Sequence, residues 1–213
     1  MAQRETAPTG RTLGPRALRT RQRLLDATAE LLEERGVLEL TVADIARKAE
    51  TSPGLFYHYF REVEEAALVL AQQAADEMST LLELFDGVWI GRTGLERARA
   101  LARGFVEHWE SHRAVLLLRN HSADRGDRRF HRVRRRALGP LIESIETQIR
   151  ISKDAGRLPD DLHPYLAASA LVQILEGLSA YAREVHRFHA TRNELIETCA
   201  RMIHGTLNGY RTR

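Results

Sequence analysis

Apolar positions along this chain recur at spacings of three and four and almost nowhere in alternation. That period lays one face of a helix against a core, so the pattern predicts an all-α protein. Leu24, Leu25, Thr28, Leu31 and Leu32 stripe a first helix, with Thr20 as its expected cap and Gly36 as its expected stop. Thr41 and Asp44 form a capping box that opens a two-turn helix with Val42, Ile45, Ala46 and Ala49 on its inner face. Glu50-Thr51 ends it. Ser52 caps a third helix, with Pro53 at the first position, where the missing N–H costs nothing. Two helices this short cannot make a core of their own. They need a third beneath them, which is the build of a helix-turn-helix.

Further on, Arg61 to Phe85 reads as one long helix. Ala66, Leu68, Leu70, Ala74, Met78, Leu81 and Leu82 give it more apolar positions than one stripe needs, so burial on two sides is expected. Asp86-Gly87 and Gly91 to Gly94 mark a loop. Thr93 and Glu96 offer a second capping box, followed by Leu95, Ala98, Ala102, Phe105 and Trp109. Ser111-His112 interrupts, and Ala114 to Asn120 resumes as a short helix. A long basic helix from Asp127 is expected to kink at Gly139-Pro140 and to end at Gly156. Pro164 opens the next helix. Leu195, Cys199, Met202, Ile203 and Thr206 stripe the last.

The run Thr41-Val42-x-Asp44-Ile45-Ala46-x-x-Ala49, then Ser52-x-Gly54-x-x-Tyr57-x-Tyr59-Phe60, resembles the DNA-binding segment of TetR-family transcriptional regulators. With the preceding helix the likeness covers roughly residues 20 to 66. Three positions depart from the family pattern: Glu50 stands where a turn glycine is common, Leu55 where a polar residue is usual, and Val63 where a lysine often meets phosphate. The resemblance implies an N-terminal three-helix helix-turn-helix DNA-binding domain followed by a C-terminal helical ligand-binding and dimerisation domain. The expected division is a disordered basic arm over 1–18, the DNA-binding domain over 19–62, and the ligand-binding and dimerisation domain over 63–213. It also implies that the long helix after the DNA-binding domain transmits ligand binding. The last two helices would be the dimerisation pair, packing as a four-helix bundle across a two-fold axis. The turn around Gly156 and Leu158, the Pro164-led helix and Gly177 are similar to the C-terminal half of many such regulators.

The third helix is then the recognition helix. Ser52, Pro53, Leu55 and His58 are its candidates for base edges, although Leu55 could meet only a thymine methyl. The resemblance assigns Tyr57 to a phosphate, with Tyr59 as a weaker second. Gly54 permits close approach to a neighbouring helix or to the DNA backbone, and Thr41 stands at the start of the supporting helix. Arg47 and Lys48 read equally as phosphate contacts and as complements to the helix dipole. Phe56 and Phe60 are expected in the core.

Composition sharpens this picture in few places. At 213 residues the chain holds one or two domains with a sizeable core. Its net charge is only +3, but six arginines face Glu5 alone up to Arg23, a local +5 that leaves −2 for the rest (3 − 5). Such an arm suits a phosphate partner, or serves as a solvated leader. No secretory leader or long apolar span is evident, so a soluble cytoplasmic protein with no membrane association is expected. The lone Cys199 forms no internal disulfide.

An effector pocket is expected between the later helices. Phe105, His108, Trp109, Leu116, Leu117 and Phe130 are candidate walls, together with Asn120, Gln173, Glu176 and Tyr181. The apolar majority points to a hydrophobic effector. His108 and His112 stand at a ligand spacing on a helix but lack a glutamate in a zinc-protease pattern or a cysteine pair, and His186 and His189 are similarly bare, so no metal is expected. Arg128, Arg129, Arg132, Arg134, Arg135 and Arg136 are expected to spread around a solvated, salt-bridged helix. No phosphate loop, nucleophile elbow or carboxylate pair stands out, and it is the helix-turn-helix that makes an enzyme unexpected; no cofactor is expected. The reading is a homodimeric, ligand-responsive regulator of double-stranded DNA, with a repressor favoured. Control by a protein partner, or a helical enzyme or carrier, are its rivals.

Overall fold

The computed structural model describes residues 13–35 and 40–209. Every regular element among them is helical. Expectations for residues 1–12 of the basic arm, for Gly36 as a helix stop and for Val37 lie outside the described residues. The chain forms two compact units: Met1–Ala74 with Arg113–Val133, and Ala75–His112 with Arg134–Arg213. The units do not follow the expected division at residue 62. The helices α5 (Gly91–Asp124) and α6 (Arg128–Asp154) are long, and their adjoining ends belong to the first unit.

In the first unit, α1 (Pro15–Arg35) lies against α2 (Val42–Lys48), and α2 against α3 (Pro53–Tyr59). The predicted stripe is its core: Leu24, Leu25, Leu31, Leu32, Ile45, Phe56 and Phe60 are all buried. Truncating such a phenylalanine to alanine costs about 3–5 kcal/mol. Thr28 is also buried, and its hydroxyl donates to the Leu24 carbonyl at 2.7 Å, which satisfies it inside its own helix. α1 begins five residues before the expected cap at Thr20. Pro15 takes the first helical position and the Gly14 carbonyl accepts from the Leu18 N–H at 3.0 Å. The Thr20 hydroxyl instead donates to the Arg16 carbonyl at 3.2 Å. Residues 15–18 of the expected disordered arm are therefore helix.

α4 (Val63–Glu77) runs from the first unit into the second. The single helix expected to Phe85 stops at Glu77, and Met78–Phe85 tightens into 3-10 turns. α5 starts at Gly91, so Thr93 is inside the helix rather than capping it. Glu96 accepts from Arg92 at 3.1 Å. A Cβ at Gly94 would collide with the Trp89 carbonyl, so this start tolerates nothing larger. The interruption at Ser111-His112 is a kink and not a gap: His112 has φ −123° and ψ 20°. Arg183 donates to the Glu110 carbonyl at 2.7 Å beside it, and a side chain supplying a ladder acceptor with a new donor is a known cause of such bends.

α6 remains helical through Pro140, where a kink was expected. The proline removes one ladder bond, while burial of Leu138, Leu141, Ile145 and Ile149 favours continuing the helix. α7 (Pro164–Ala180), a 3-10 segment (Ala182–Phe188) and α8 (Arg192–Asn208) complete the second unit. Thr191 and Glu194 close a capping box on α8: the Glu194 N–H donates to the Thr191 hydroxyl at 3.2 Å and the Thr191 N–H to the Glu194 carboxylate at 2.7 Å. α8 is fastened to α5 by a two-pronged pair, Arg99 to Glu197, at 2.6 and 2.8 Å. Asn208 holds the Trp89 carbonyl at 3.0 Å. Cys199 is buried here, and that burial pushes its thiol pKa up.

Candidate nucleic-acid interface and effector region

The two short helices α2 and α3 start from their caps. The Thr41 hydroxyl accepts from the Asp44 N–H at 3.2 Å and lies 2.5 Å from the Asp44 carboxylate, so it is spent on opening α2. That hydroxyl, more than the nearby arginines, holds the Asp44 carboxyl below its usual range. The chain then turns at Glu50, whose φ of +51° is the left-handed region. The departure noted at this position therefore places a side chain where a glycine is unstrained. Ser52 caps α3 by accepting from the Leu55 N–H at 3.2 Å, with Pro53 at the first position.

α3 divides by face. Phe56 and Phe60 are buried as expected, and their rings lie 5.5 Å apart. Tyr59 is buried too, at 7% exposure, which departs from its reading as a phosphate candidate. It follows Phe56 by three residues and so shares the inward face. Tyr57, at 55% exposure, and His58 point to solvent with Ser52, Pro53 and Gly54. Leu55 is half-buried. A Cβ at Gly54 would meet only the Ser52 hydroxyl at 3.9 Å, so nothing in the chain requires glycine there.

The two basic candidates on α2 differ. Arg47 is largely exposed and rests 3.2 Å from Asp44. Lys48 reaches back to α1, 2.9 Å from both Glu30 and Glu34. Those two carboxylates raise the Lys48 pKa and keep it charged, but they hold it as scaffold. Three arginines of the basic stretch that ends at Arg23 lie close by on α1. Arg16, Arg19 and Arg23 line one groove with Leu55 and Tyr59, and their spacing of three and four is the sequence signal for them. Arg21, on another face of α1, stacks its guanidinium 5.2 Å over the Phe60 ring.

The expected effector-lining residues are divided between the two units. Leu116, Leu117, Asn120 and Phe130 belong to the first unit; the remaining six belong to the second. Phe105, Trp109, Leu116 and Phe130 are packed in cores. Leu117 and Tyr181 face solvent, at 40% and 57% exposure, because their positions fall on the outer sides of α5 and of the α7 end. Gln173 is exposed and Glu176 is buried, and both accept from Arg134, at 3.2 and 2.6 Å. Asn120 accepts from Arg119 at 3.0 Å. His108 lines a cavity of the second unit, about 320 Å³ in volume. Three of the six arginines of the basic run on α6 make ion pairs, Arg129 to Glu62 and Asp127 at 2.9 Å each, Arg134 to Glu176 and Arg136 to Asp76 at 2.6 Å each, and the pair of Arg134 is with a buried carboxylate rather than on a solvated face.

A capped pair of short helices on a third, continued by a larger helical part, defines a helix-turn-helix protein. Residues 24–79 match the bacterial regulatory proteins of the tetR family, and residues 81–212 match the tetracyclin repressor-like C-terminal domain. The chain belongs to the TetR family of transcriptional regulators. The HTH-type transcriptional regulator BetI of Escherichia coli is 48% identical over 50 residues, 24% of this chain and 25% of BetI. The chain thus matches about a quarter of the length of these curated relatives. Among solved structures, the fatty acid degradation regulator FadR of Bacillus halodurans aligns over 95% of this chain and all of its own, with TM-score 0.66 and 16% identity. FadR of Thermus thermophilus, a repressor solved with lauroyl-CoA, aligns over 90% of this chain and 97% of its own, with TM-score 0.55 and 23% identity. At these identities the likeness is one of fold. No described helix is long and apolar enough to cross a membrane.

Proposed function

We propose that this chain is a homodimeric cytoplasmic repressor that binds a palindromic operator and is released by a hydrophobic small-molecule effector. The observation that carries the reading is the outward face of α3, with Ser52, Pro53, Gly54, Tyr57 and His58 exposed. Arg16, Arg19 and Arg23 stand in the groove beside it. Phosphate contacts position such a helix in a major groove, and exposed side chains read the base edges.

Support for a second copy comes from α7. Leu166, Ala170, Gln173, Gly177 and Tyr181 are all exposed, at spacings of four, three, four and four. They form one outward stripe, and a Cβ at Gly177 would meet nothing within 4 Å. Support for an effector with an acyl chain comes from the fold likeness to the lauroyl-CoA-bound regulator. The effector works only to the extent that it binds the DNA-incompetent state more tightly. A second reading, control by a protein partner, draws on the packed state of Phe105, Trp109, Leu116 and Phe130.

Selection of bound sequences from random duplex DNA at fixed salt tests the proposal. Recovery of an inverted repeat with half-sites about one helical turn apart is expected. A folded dimer that enriches no sequence refutes it. A thermal-shift screen of acyl-CoA compounds, followed by operator release, separates effector control from partner control.

A further inference from the structure

We propose that Glu77, His108 and His112 form a divalent transition-metal site, best suited to Zn²⁺, inside the second unit. Sequence spacing alone supplies only the two histidines, one turn apart on α5. The fold adds the last residue of α4 as a third donor. The ligand atoms of all three lie within 4.8 Å of one another. His112 Nε2 is 2.7 Å from a Glu77 carboxylate oxygen, and the two imidazole rings are 5.0 Å apart.

The surroundings suit a cation. Besides the three ligands, the cavity of about 320 Å³ presents Glu107, Thr80 and Ser111, and no lysine or arginine lines it. In a chain with 32 such residues, that composition leaves the cavity with negative charge and no competing cation. Close packing sets the distance between the elements: a Cβ at Gly104, one turn before His108, would come within 2.5 Å of Leu81 on the 3-10 segment. The kink at His112 sets the direction of the second imidazole.

Two imidazoles and a carboxylate are borderline donors, which favour Zn²⁺ and its neighbours over Mg²⁺ or Ca²⁺. Around a tetrahedral ion at about 2.0–2.1 Å, donors stand about 3.3 Å apart. The His112–Glu77 contact therefore opens by about 0.6 Å as the ion takes the place of the direct hydrogen bond, a shift the exposed Glu77 side chain can make. Three protein donors leave a fourth position facing the cavity, open to water or to a small chelating molecule. A bound ion would tie the end of α4 to α5 at its kink. The proposal stands independently of which DNA the chain reads.

The test uses the full-length protein, free of any polyhistidine tag and stripped with a chelator. Zn²⁺ is titrated in competition with a chromophoric chelator, and Co²⁺ uptake is followed by its visible absorption. One equivalent per chain with a four-coordinate Co²⁺ spectrum is expected. Affinity should fall at least about tenfold in His108→Gln, His112→Gln and Glu77→Gln, and stay unchanged in His186→Gln. Circular dichroism confirms that each variant is folded; Glu77→Gln, on an exposed side chain, is the safeguard. No uptake, uptake unchanged in the histidine variants, or loss in these with Glu77→Gln unaffected overturns the three-donor site.

Discussion

Replacing Arg134 with methionine is the sharpest test of how the second unit is held together. Glu176 sits on α7 at 3% exposure, a place where a carboxylate is costly without a strong partner. Arg134 of α6 supplies one, with Nη2 at 2.6 Å and Nε at 3.2 Å, and also holds Gln173 at 3.2 Å. Removing one member of a fully buried pair costs about 3–5 kcal/mol, whereas exposed pairs contribute at most about 1 kcal/mol. A quarter of the Arg134 side chain meets solvent. The expected cost therefore lies between those limits, about 2–3 kcal/mol. Methionine preserves the packing of the stem, so little of that cost is cavity. In a chain of this size the loss lowers the midpoint of thermal unfolding by about 4–12 °C. Urea unfolding followed by circular dichroism reads it as a lower midpoint with an unchanged slope. The partner variant Glu176→Leu removes the buried charge instead. The double variant Arg134→Met/Glu176→Leu should recover most of the loss, because neither charge is then left in a dry site. A change below about 0.5 kcal/mol in Arg134→Met, or a double variant as unstable as the sum of the singles, refutes the reasoning.

Glu50→Gly should stabilise the first unit by about 0.5 kcal/mol, the relief of a left-handed glutamate less the added chain entropy of glycine; a lower urea midpoint would contradict it. Tyr57→Phe should weaken operator binding about tenfold at constant salt dependence, whereas Arg16→Ala should reduce the slope of log affinity against log salt by about 0.9. Equal slopes for wild type and Arg16→Ala would remove Arg16 from the phosphate contacts. The Glu197 carboxyl, held by Arg99, is pulled down from its ordinary 4.5 to about 2. Its folded-state pKa is depressed, so its contribution to stability is present above about 4.5 and disappears as pH falls through about 2. The stability gap between wild type and Glu197→Gln should shrink over that window, and a gap that widens on acidification would reverse the assignment. Leu166→Asp on the outward stripe of α7 should shift the protein from dimer to monomer in sedimentation equilibrium without loss of helix content. A dimer unchanged by Leu166→Asp would place the interface elsewhere.

Local chemistry was enough for the elements that carry their own signals. The Thr41 and Ser52 caps, Pro53 and the stripe from Leu24 to Leu32 stand as the pattern of residues predicts, because each is decided within one or two turns. Glu50 was visible as a departure from the usual glycine, and its left-handed backbone is the consequence. Periodicity also separates Phe56 and Phe60 from Tyr57, but Tyr59 required the packed unit to settle its side. The helix ends at Pro15, Glu77 and Gly91 were misplaced by between two and eight residues, since competing caps differ by less than tertiary packing contributes. Partners distant along the chain were not legible at all. Nothing in the sequence says that Arg134 spends itself on Glu176, 42 residues away, or that Lys48 turns back to Glu30 and Glu34. Nor does it say that Glu77 stands 2.7 Å from His112. The sequence by itself determined the all-helical fold, the Thr41 and Ser52 caps and the inward stripe of α1, because those follow from near-neighbour geometry. Which charges are consumed within the fold, and which donors meet in the cavity beside His108, only the tertiary structure decided, because such meetings depend on how whole helices pack.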